Sequence, residues 1–283
     1  MTSTSSPAAA IDIGSNAVRM LVGDRDGRAT SVHLFVRVPL GLGREVYGGD
    51  KTISPAAQRR LTDALDGLQK IARSMNASPC RAIATAAIRD CRNRKQVLAN
   101  IRRLAGVTIH VLDGDEEASL IGLFVARQFP PRATVLNIDT GGGSTDCAVI
   151  KSRKMLAHAT FSVGTARSGG GSAAEKTKMT SWLQQWRDKN PILAASGGSA
   201  RKMEEICGDI TPARLNSFLR RAESMTAAQR ARVFDLAPDR ARNIVPAARI
   251  GKLVLRACGA SKIQTISGGL GEAVLETLLA DKR

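Results

Sequence analysis

Two short stretches of the chain, IDIGSN at 11–16 and IDTGGGSTD at 138–146, join an aspartate to a glycine turn and to small hydroxyl or amide side chains. A glycine turn lets successive backbone N–H groups converge on one point, which makes a nest for an anion. A tight hairpin that needs positive φ would use one glycine or two. Gly141, Gly142 and Gly143 stand in a row beside an acid and two hydroxyls, which points to phosphate. Two further glycine turns each follow an apolar run: ASGGSARK at 195–202, with Gly197 and Gly198, and TISGGLGEA at 265–273. Each opens a helix, whose first N–H groups have no partner within the helix. Neither a phosphate loop ending in Gly-Lys-Ser/Thr nor a Gly-x-Gly-x-x-Gly dinucleotide turn is present.

The acids supply the other half of the chemistry. DGDEE at 113–117 holds four carboxylates in five residues, in a chain with only 25 acids. Crowded like charges raise a carboxylate's pKa toward that of a useful general base, and carboxylates are also metal ligands. Acids in a first helical turn are favoured by the helix dipole as well, by ~0.3–1 kcal/mol each. The cluster therefore marks a place without choosing among Asp113, Asp115, Glu116 and Glu117. Arg89, in ATAAIRDCRNR, ends another strand and could grip a phosphate oxygen pair with its guanidinium.

The elements that must position these residues come in two similar sets. The stretches starting at Ala10 and at Leu136 each give a strand ending near an aspartate, a glycine turn, a second strand, a charged turn (DRDGR, KSRK) and a third strand. Asp12 and Asp139 lie 127 positions apart, close to half of 283. The order implies two related domains, each opening with a meander and facing the other across a cleft. The division is expected at 130/131, with the final helix able to cross back to the first domain. Ser54-Pro55 starts a helix over 55–75, whose Leu61, Leu65, Leu68 and Ile71 fall at helical spacing. CRAIATAA and VTIHVL are strands, with helices near 93–105 and 115–127, so the first half runs βββαβαβα. Ser172 with Glu175 and Thr226 with Gln229 read as capping boxes. Helices are expected near 173–187, 212–221, 227–234, 238–257 and 270–280, and SGGGSAAEKTK at 168–178 reads as a flexible connector.

Composition bounds the remainder. Hydrophobic residues make up 43% of the chain and aromatics 3%, so an aliphatic core is expected. No apolar run approaches the ~20 residues that cross a bilayer. MTSTSSPAAA has neither a basic start nor a long apolar run and reads as a short disordered lead, not a signal peptide. Five scattered cysteines without a Cys-x-x-Cys fit neither zinc nor a disulfide framework, which places the chain in a reducing cytoplasm. A net charge of +17 attracts polyanions. The lack of aromatics interleaved with the basic residues argues against nucleic acid.

At this point the ordered motifs resemble a family, the exopolyphosphatases and guanosine-pentaphosphate phosphohydrolases, over nearly the whole chain. AAIDIGSNAVRML, RVPLGLG, ATAAIRDCRN, DGDEEASLIGL, IDTGGGSTD, SVGTAR, APDRARNIVPAARIGKLVL and TISGGLGEAVL all look like its segments, in its order. The resemblance implies an α/β fold of two actin-like domains, of the ribonuclease H-like group shared with sugar kinases and chaperone ATPases. It resembles a short form without a C-terminal helical domain. It implies that Glu117 orients or deprotonates the attacking water, and that Asp139 positions magnesium or the water, Glu117 and Asp139 being the candidate metal ligands. Gly141, Gly142, Gly143 and Ser144 would cradle the phosphate, with Asp12, Gly14, Ser15 and Asn16 from the other domain and with Arg89. Gly197 and Gly198 join this set as a further N–H turn. Mg2+ is the implied cofactor, with a monovalent cation such as K+ as a candidate addition, and a homodimer is the implied assembly. Gly271 stands where the family commonly has arginine.

The expected activity is release of orthophosphate from the ends of inorganic polyphosphate. The alternatives are hydrolysis of guanosine pentaphosphate to tetraphosphate, a polyphosphate or alarmone sensor without turnover, and a small-molecule kinase of the same fold group. A pure binder has no need of Glu117, and a kinase would need an acceptor other than water. The helices of 200–256, with 12 lysines and arginines against six acids, are expected to give a basic track for a polyanion.

Overall fold

The computed structural model describes residues 6–27 and 29–281. Residues 1–5 of the expected lead and Arg28 of the first charged turn lie outside the described residues, while Ala8, Ala9 and Ala10, expected in that lead, are buried strand. The chain divides into two compact units, Met1–Asp113 with Leu270–Arg283, and Gly114–Gly269.

The first unit opens with β1 (Ala8–Ile13), β2 (Val18–Asp26) and β3 (Ala29–Val38). It continues with α1 (Leu42–Gly48), α2 (Pro55–Ser74), β4 (Cys80–Ala84), α3 (Ala86–Asp90), α4 (Arg94–Ala105) and β5 (Ile109–Val111). The second unit opens with α5 (Gly114–Ala126), then β6 (Thr134–Thr140), β7 (Thr145–Lys151) and β8 (Lys154–Phe161). After these come α6 (Ala173–Gln184), β9 (Ile192–Ser196), α7 (Gly197–Cys207), α8 (Pro212–Ala222), α9 (Ala227–Val233), α10 (Pro238–Cys258) and β10 (Gln264–Thr265). The last helix, α11 (Leu270–Ala280), belongs to the first unit.

The two sheets have the same plan. Their orders are β3-β2-β1-β4-β5 and β8-β7-β6-β9-β10. In each, the three-strand meander is antiparallel and the later two strands run parallel to the first. The repeat holds residue by residue: Gly14 N–H donates to the Ala17 carbonyl at 3.1 Å, and Gly141 N–H to the Ser144 carbonyl at 2.9 Å, 127 positions on. The two related α/β domains expected from the duplicated motifs are borne out.

The central strands of each sheet, β1 and β2 in the first and β6 and β7 in the second, are buried on both faces. In β1 alternate residues Ala9, Ile11 and Ile13 join the core that includes Leu61 and Leu65 of α2 and Val97 and Ile101 of α4. The other face carries Ala8, Ala10 and Asp12 and is covered by α11, which packs on β1 and β2. In β6, Leu136 and Ile138 join the core with Leu215 and Phe218 of α8 and Ile244 and Val254 of α10. Its opposite face, with Asn137 and Asp139, is the one on which α5 lies. This follows from the two-residue period of a strand. Burial of each such aliphatic side chain contributes about 1.5–3 kcal/mol.

Local signals explain most helix ends. Ser54 Oγ accepts from Ala57 N–H at 3.2 Å, with Pro55 in the first turn. The Thr226–Gln229 box is complete in both directions, at 3.2 and 2.7 Å. Only half of the Ser172–Glu175 box forms. Ser172 Oγ accepts from Glu175 N–H, but the Glu175 carboxylate turns to Ser162 N–H at 2.9 Å. The glycines before it do not make a loose connector. Gly170 is buried, its carbonyl accepts from Gly164 N–H at 3.1 Å, and a Cβ on Gly171 would lie 2.6 Å from the Ser162 carbonyl oxygen. The glycines are required there by positive φ and close packing, not by mobility.

Candidate functional site

Cross-strand register assembles one row of polar side chains on the second sheet. Asp139 of β6 lies opposite Ser196 of β9 on one side and opposite Asp146 of β7 on the other, and Asp146 lies opposite Thr160 of β8. Residues directly opposite one another share a face. The two carboxylates therefore stand side by side, on the face that α5 covers. Asp146 is buried and held firmly: Ser144 Oγ donates to Oδ2 at 3.0 Å and Thr160 Oγ1 to Oδ1 at 2.7 Å. Asp139 sits against α7, where a Cβ on Gly197 would come within 2.9 Å of its Oδ1. Gly197 has φ +84°, so this position excludes side chains on both counts. A carboxylate at a helix N-terminus is favoured by the dipole there.

The acidic segment meets the same row. The start of α5 packs on β8, with a Cβ on Gly114 3.0 Å from Thr160 Oγ1. One turn later comes Glu117. Of the four acids only Glu117 is buried, while Asp113, Asp115 and Glu116 are exposed. Asp115 pairs outward with His158 at 3.5 Å. Burial thus sets Glu117 apart from the other three acids.

The glycine turn at 141–144 is braced from one side. Thr165 N–H donates to the Gly141 carbonyl at 3.0 Å, Ala166 N–H to that of Gly142 at 2.8 Å, and Arg167 Nε–H to that of Gly143. The hydroxyls are used for bracing too, since Ser144 reaches Asp146 and Thr145 Oγ1 donates to the Val163 carbonyl at 2.7 Å. The buried N–H groups of Gly142, Gly143 and Ser144 have no acceptor among the described residues. Buried N–H groups are nearly always paired, so three adjacent ones mark a place for an anion. The donors to a phosphate would be backbone amides rather than the hydroxyls.

The first unit carries the corresponding row with different charge. Asp12 of β1 lies opposite Arg19 of β2, and Arg19 opposite Arg37 of β3. Its turn is braced like the other, by Gly43 N–H on the Ser15 carbonyl at 2.7 Å and Gly41 N–H on that of Asn16 at 3.0 Å. Arg89 Nη1 donates to the Leu112 carbonyl at 3.2 Å, just before the acidic segment, and Nε lies 3.7 Å from Asp90. Gly271 opens α11 against β2, where a Cβ would meet Leu21 Cδ1 at 2.6 Å, which explains a glycine there.

Asp12 titrates abnormally. Burial pushes its carboxyl up from the ordinary range, Arg19 at 3.1 Å opposes this, and the charge of Glu272 adds to it. A raised folded-state pKa contributes stability that is present below pH ~4 and lost as pH rises through that pKa. Urea midpoints of the wild type should therefore fall relative to those of Asp12→Asn as pH rises from about 4. A gap that is constant or changes the other way would contradict the buried, raised carboxyl.

Asp139, Asp146 and Glu117 are oxygen donors of the kind that hold Mg2+, which takes one or two carboxylates and completes its shell with water and substrate phosphates. Among the described residues no group of three or more histidines, cysteines or acids forms a self-sufficient metal cage. No helix among the described residues is long and apolar enough to cross a membrane.

Asp146, Thr160, Gly164 and Thr165 were not singled out from the sequence. The first lies at the end of the IDTGGGSTD motif, two positions after Ser144, and the last two lie in SVGTAR. Residues 37–169 match the sequence profile of the Ppx/GppA phosphatase family, a span that includes Arg89, the acidic segment, the triple-glycine turn and its brace. Exopolyphosphatase 1 of Mycobacterium tuberculosis is 26% identical, over 94% of this chain and 86% of its own. A crystal structure of an exopolyphosphatase from Cytophaga hutchinsonii has the same fold, with TM-score 0.84, 20% identity, and coverage of 97% and 98% of the two chains. So does a Ppx/GppA family member from Aquifex aeolicus, with TM-score 0.75, 20% identity and 98% of both chains.

Proposed function

We propose that this chain, a member of the Ppx/GppA phosphatase family, is an exopolyphosphatase that releases orthophosphate from the ends of inorganic polyphosphate. The observation that carries the reading is Glu117, the one buried acid of its cluster, on the helix that covers the Asp139–Asp146 row. The amides of Gly142, Gly143 and Ser144 hold the terminal phosphoryl oxygens. Glu117 takes a proton from water as the water oxygen bonds to phosphorus. The anhydride P–O bond breaks, and the shortened chain leaves as a phosphate anion. Positioning and charge stabilisation carry most of the rate in such a transfer. Bound magnesium, with Asp139 and Glu117 as its proposed ligands, supplies neutralisation of the leaving phosphate's charge. Asp146 borders this set and keeps Ser144 in place. Asp12, Gly14, Ser15, Asn16 and Arg89 serve the substrate's other phosphates, and Gly197 keeps the Asp139 carboxylate in place with Gly198 behind it.

Long-chain polyphosphate and guanosine pentaphosphate, assayed in parallel with magnesium, test the substrate. The proposal expects a higher kcat/KM on polyphosphate, favoured by the +17 charge. A higher value on pentaphosphate would replace it with the alarmone reading. Transfer of phosphate to an acceptor other than water would replace it with a kinase.

A further inference from the structure

Away from these residues, α8 and α10 pack together and flank an open depression. It is lined by Asn216, Leu219, Arg220 and Glu223 of α8 and by Arg249 and Lys252 of α10. Its single acid is already engaged, with Glu223 Oε1 2.8 Å from Arg249 Nε. Arg220 and Lys252 are exposed and have no ion-pair partner among the described residues. Arg256, also exposed, continues the line one turn beyond Lys252. Lys70 and Lys178, by contrast, are each matched by an acid on their own helix, Asp66 at 2.7 Å and Glu175 at 2.9 Å. Unmatched cations around one concavity repel each other, and that cost is offset by an anionic ligand.

We infer that this depression is a second binding site for polyphosphate, an anchor for the chain away from its reacting end. The inference rests on the reading of the protein as one that acts on polyphosphate, and it adds a site that the reaction does not require. The ligand class follows from the lining. Guanidinium and ammonium groups suit closely spaced phosphates. No aromatic side chain lines the depression, so stacked bases would find no platform and nucleic acid is disfavoured. A chain held at two places gains effective concentration at the reacting end, an advantage denied to a substrate too short to reach both.

The test is binding of long-chain polyphosphate and of tripolyphosphate to protein carrying Glu117→Gln, which prevents turnover. Arg220→Gln with Lys252→Gln is compared with Lys70→Gln with Lys178→Gln, a pair that removes the same charge from matched sites. Long-chain affinity should fall roughly five-fold per cation in the first pair, and much less in the second. The salt slope of log K should shrink by roughly 0.7 for each phosphate that is no longer neutralised, with single-stranded nucleic acid as the guide. Tripolyphosphate affinity should not change, and in the Glu117 background neither should orthophosphate release from it. Equal losses in both pairs, or none in the first, would overturn the inference. So would a loss confined to single-stranded DNA, which would make the depression a nucleic-acid site. Failure of the wild type to release orthophosphate would refute the proposed activity alone, because the binding comparison needs no turnover.

Discussion

Glu117→Gln should lower kcat for orthophosphate release by about 100- to 10,000-fold while leaving the fold intact. That corresponds to roughly 3–5 kcal/mol of lost transition-state stabilisation. The substitution keeps the shape of the side chain and removes its negative charge, and with it both its ability to accept a proton and its pull on a magnesium ion. KM and the thermal midpoint should change little. Glu116→Gln is the matched control, since Glu116 is the neighbouring residue on the same first turn but faces solvent. It should stay within about threefold of wild type, as surface changes usually do. Equal losses at the two positions would mean that the cluster acts through its bulk charge, and the assignment of one base would fail.

Gly164→Ala should be nearly as damaging, for a steric reason. A Cβ there would lie 2.4 Å from the Gly142 carbonyl oxygen, and 2.7 and 2.8 Å from the carbonyl carbons of Gly142 and Gly143. All three are backbone atoms of the triple-glycine turn, so no side chain can swing aside. The turn, or the brace that donates to it, has to move. A displacement of about 1 Å at reacting groups can cost on the order of 100-fold in rate. Overpacking of this kind also costs about 1–3 kcal/mol of stability. Gly67→Ala is the control: Gly67 lies inside α2 with nothing within 4 Å of the added carbon. It should stabilise by roughly 0.5–1 kcal/mol and leave kcat/KM unchanged. If Gly164→Ala keeps full activity, the turn does not hold the reacting phosphate.

The duplicated fold was legible because its signals are local. Asp12 and Asp139, the glycine turns and the charged hairpins recur in one order, and the structure keeps their spacing through the matching turn bonds at Gly14 and Gly141. Helix starts at Ser54 and Thr226 were also legible, since each cap is a bond between neighbours in sequence. The choice of Glu117 was not legible from the acids alone. Which acid turns inward depends on how α5 lies on its sheet, a tertiary fact. So does the sheet a helix covers: α5 follows β5 yet lies on β7 and β8, and α11 follows β10 yet lies on β1 and β2. The brace at 164–167 was missed because its bonds cross some 24 residues to the glycine turn. Asp146 could have been found, since a tight turn after Asp139 fixes which residue of the next strand lies opposite it. The 168–171 stretch misled in the other direction. Its glycines answer positive φ and close contacts, which composition cannot tell from mobility.

The most direct test is orthophosphate released from long-chain polyphosphate by purified protein with magnesium, wild type beside Glu117→Gln. The account predicts steady release by the wild type and almost none by the variant, with polyphosphate binding retained in both. No release by the wild type, with tight and salt-sensitive binding preserved, would contradict it and leave a polyphosphate sensor in place of a hydrolase.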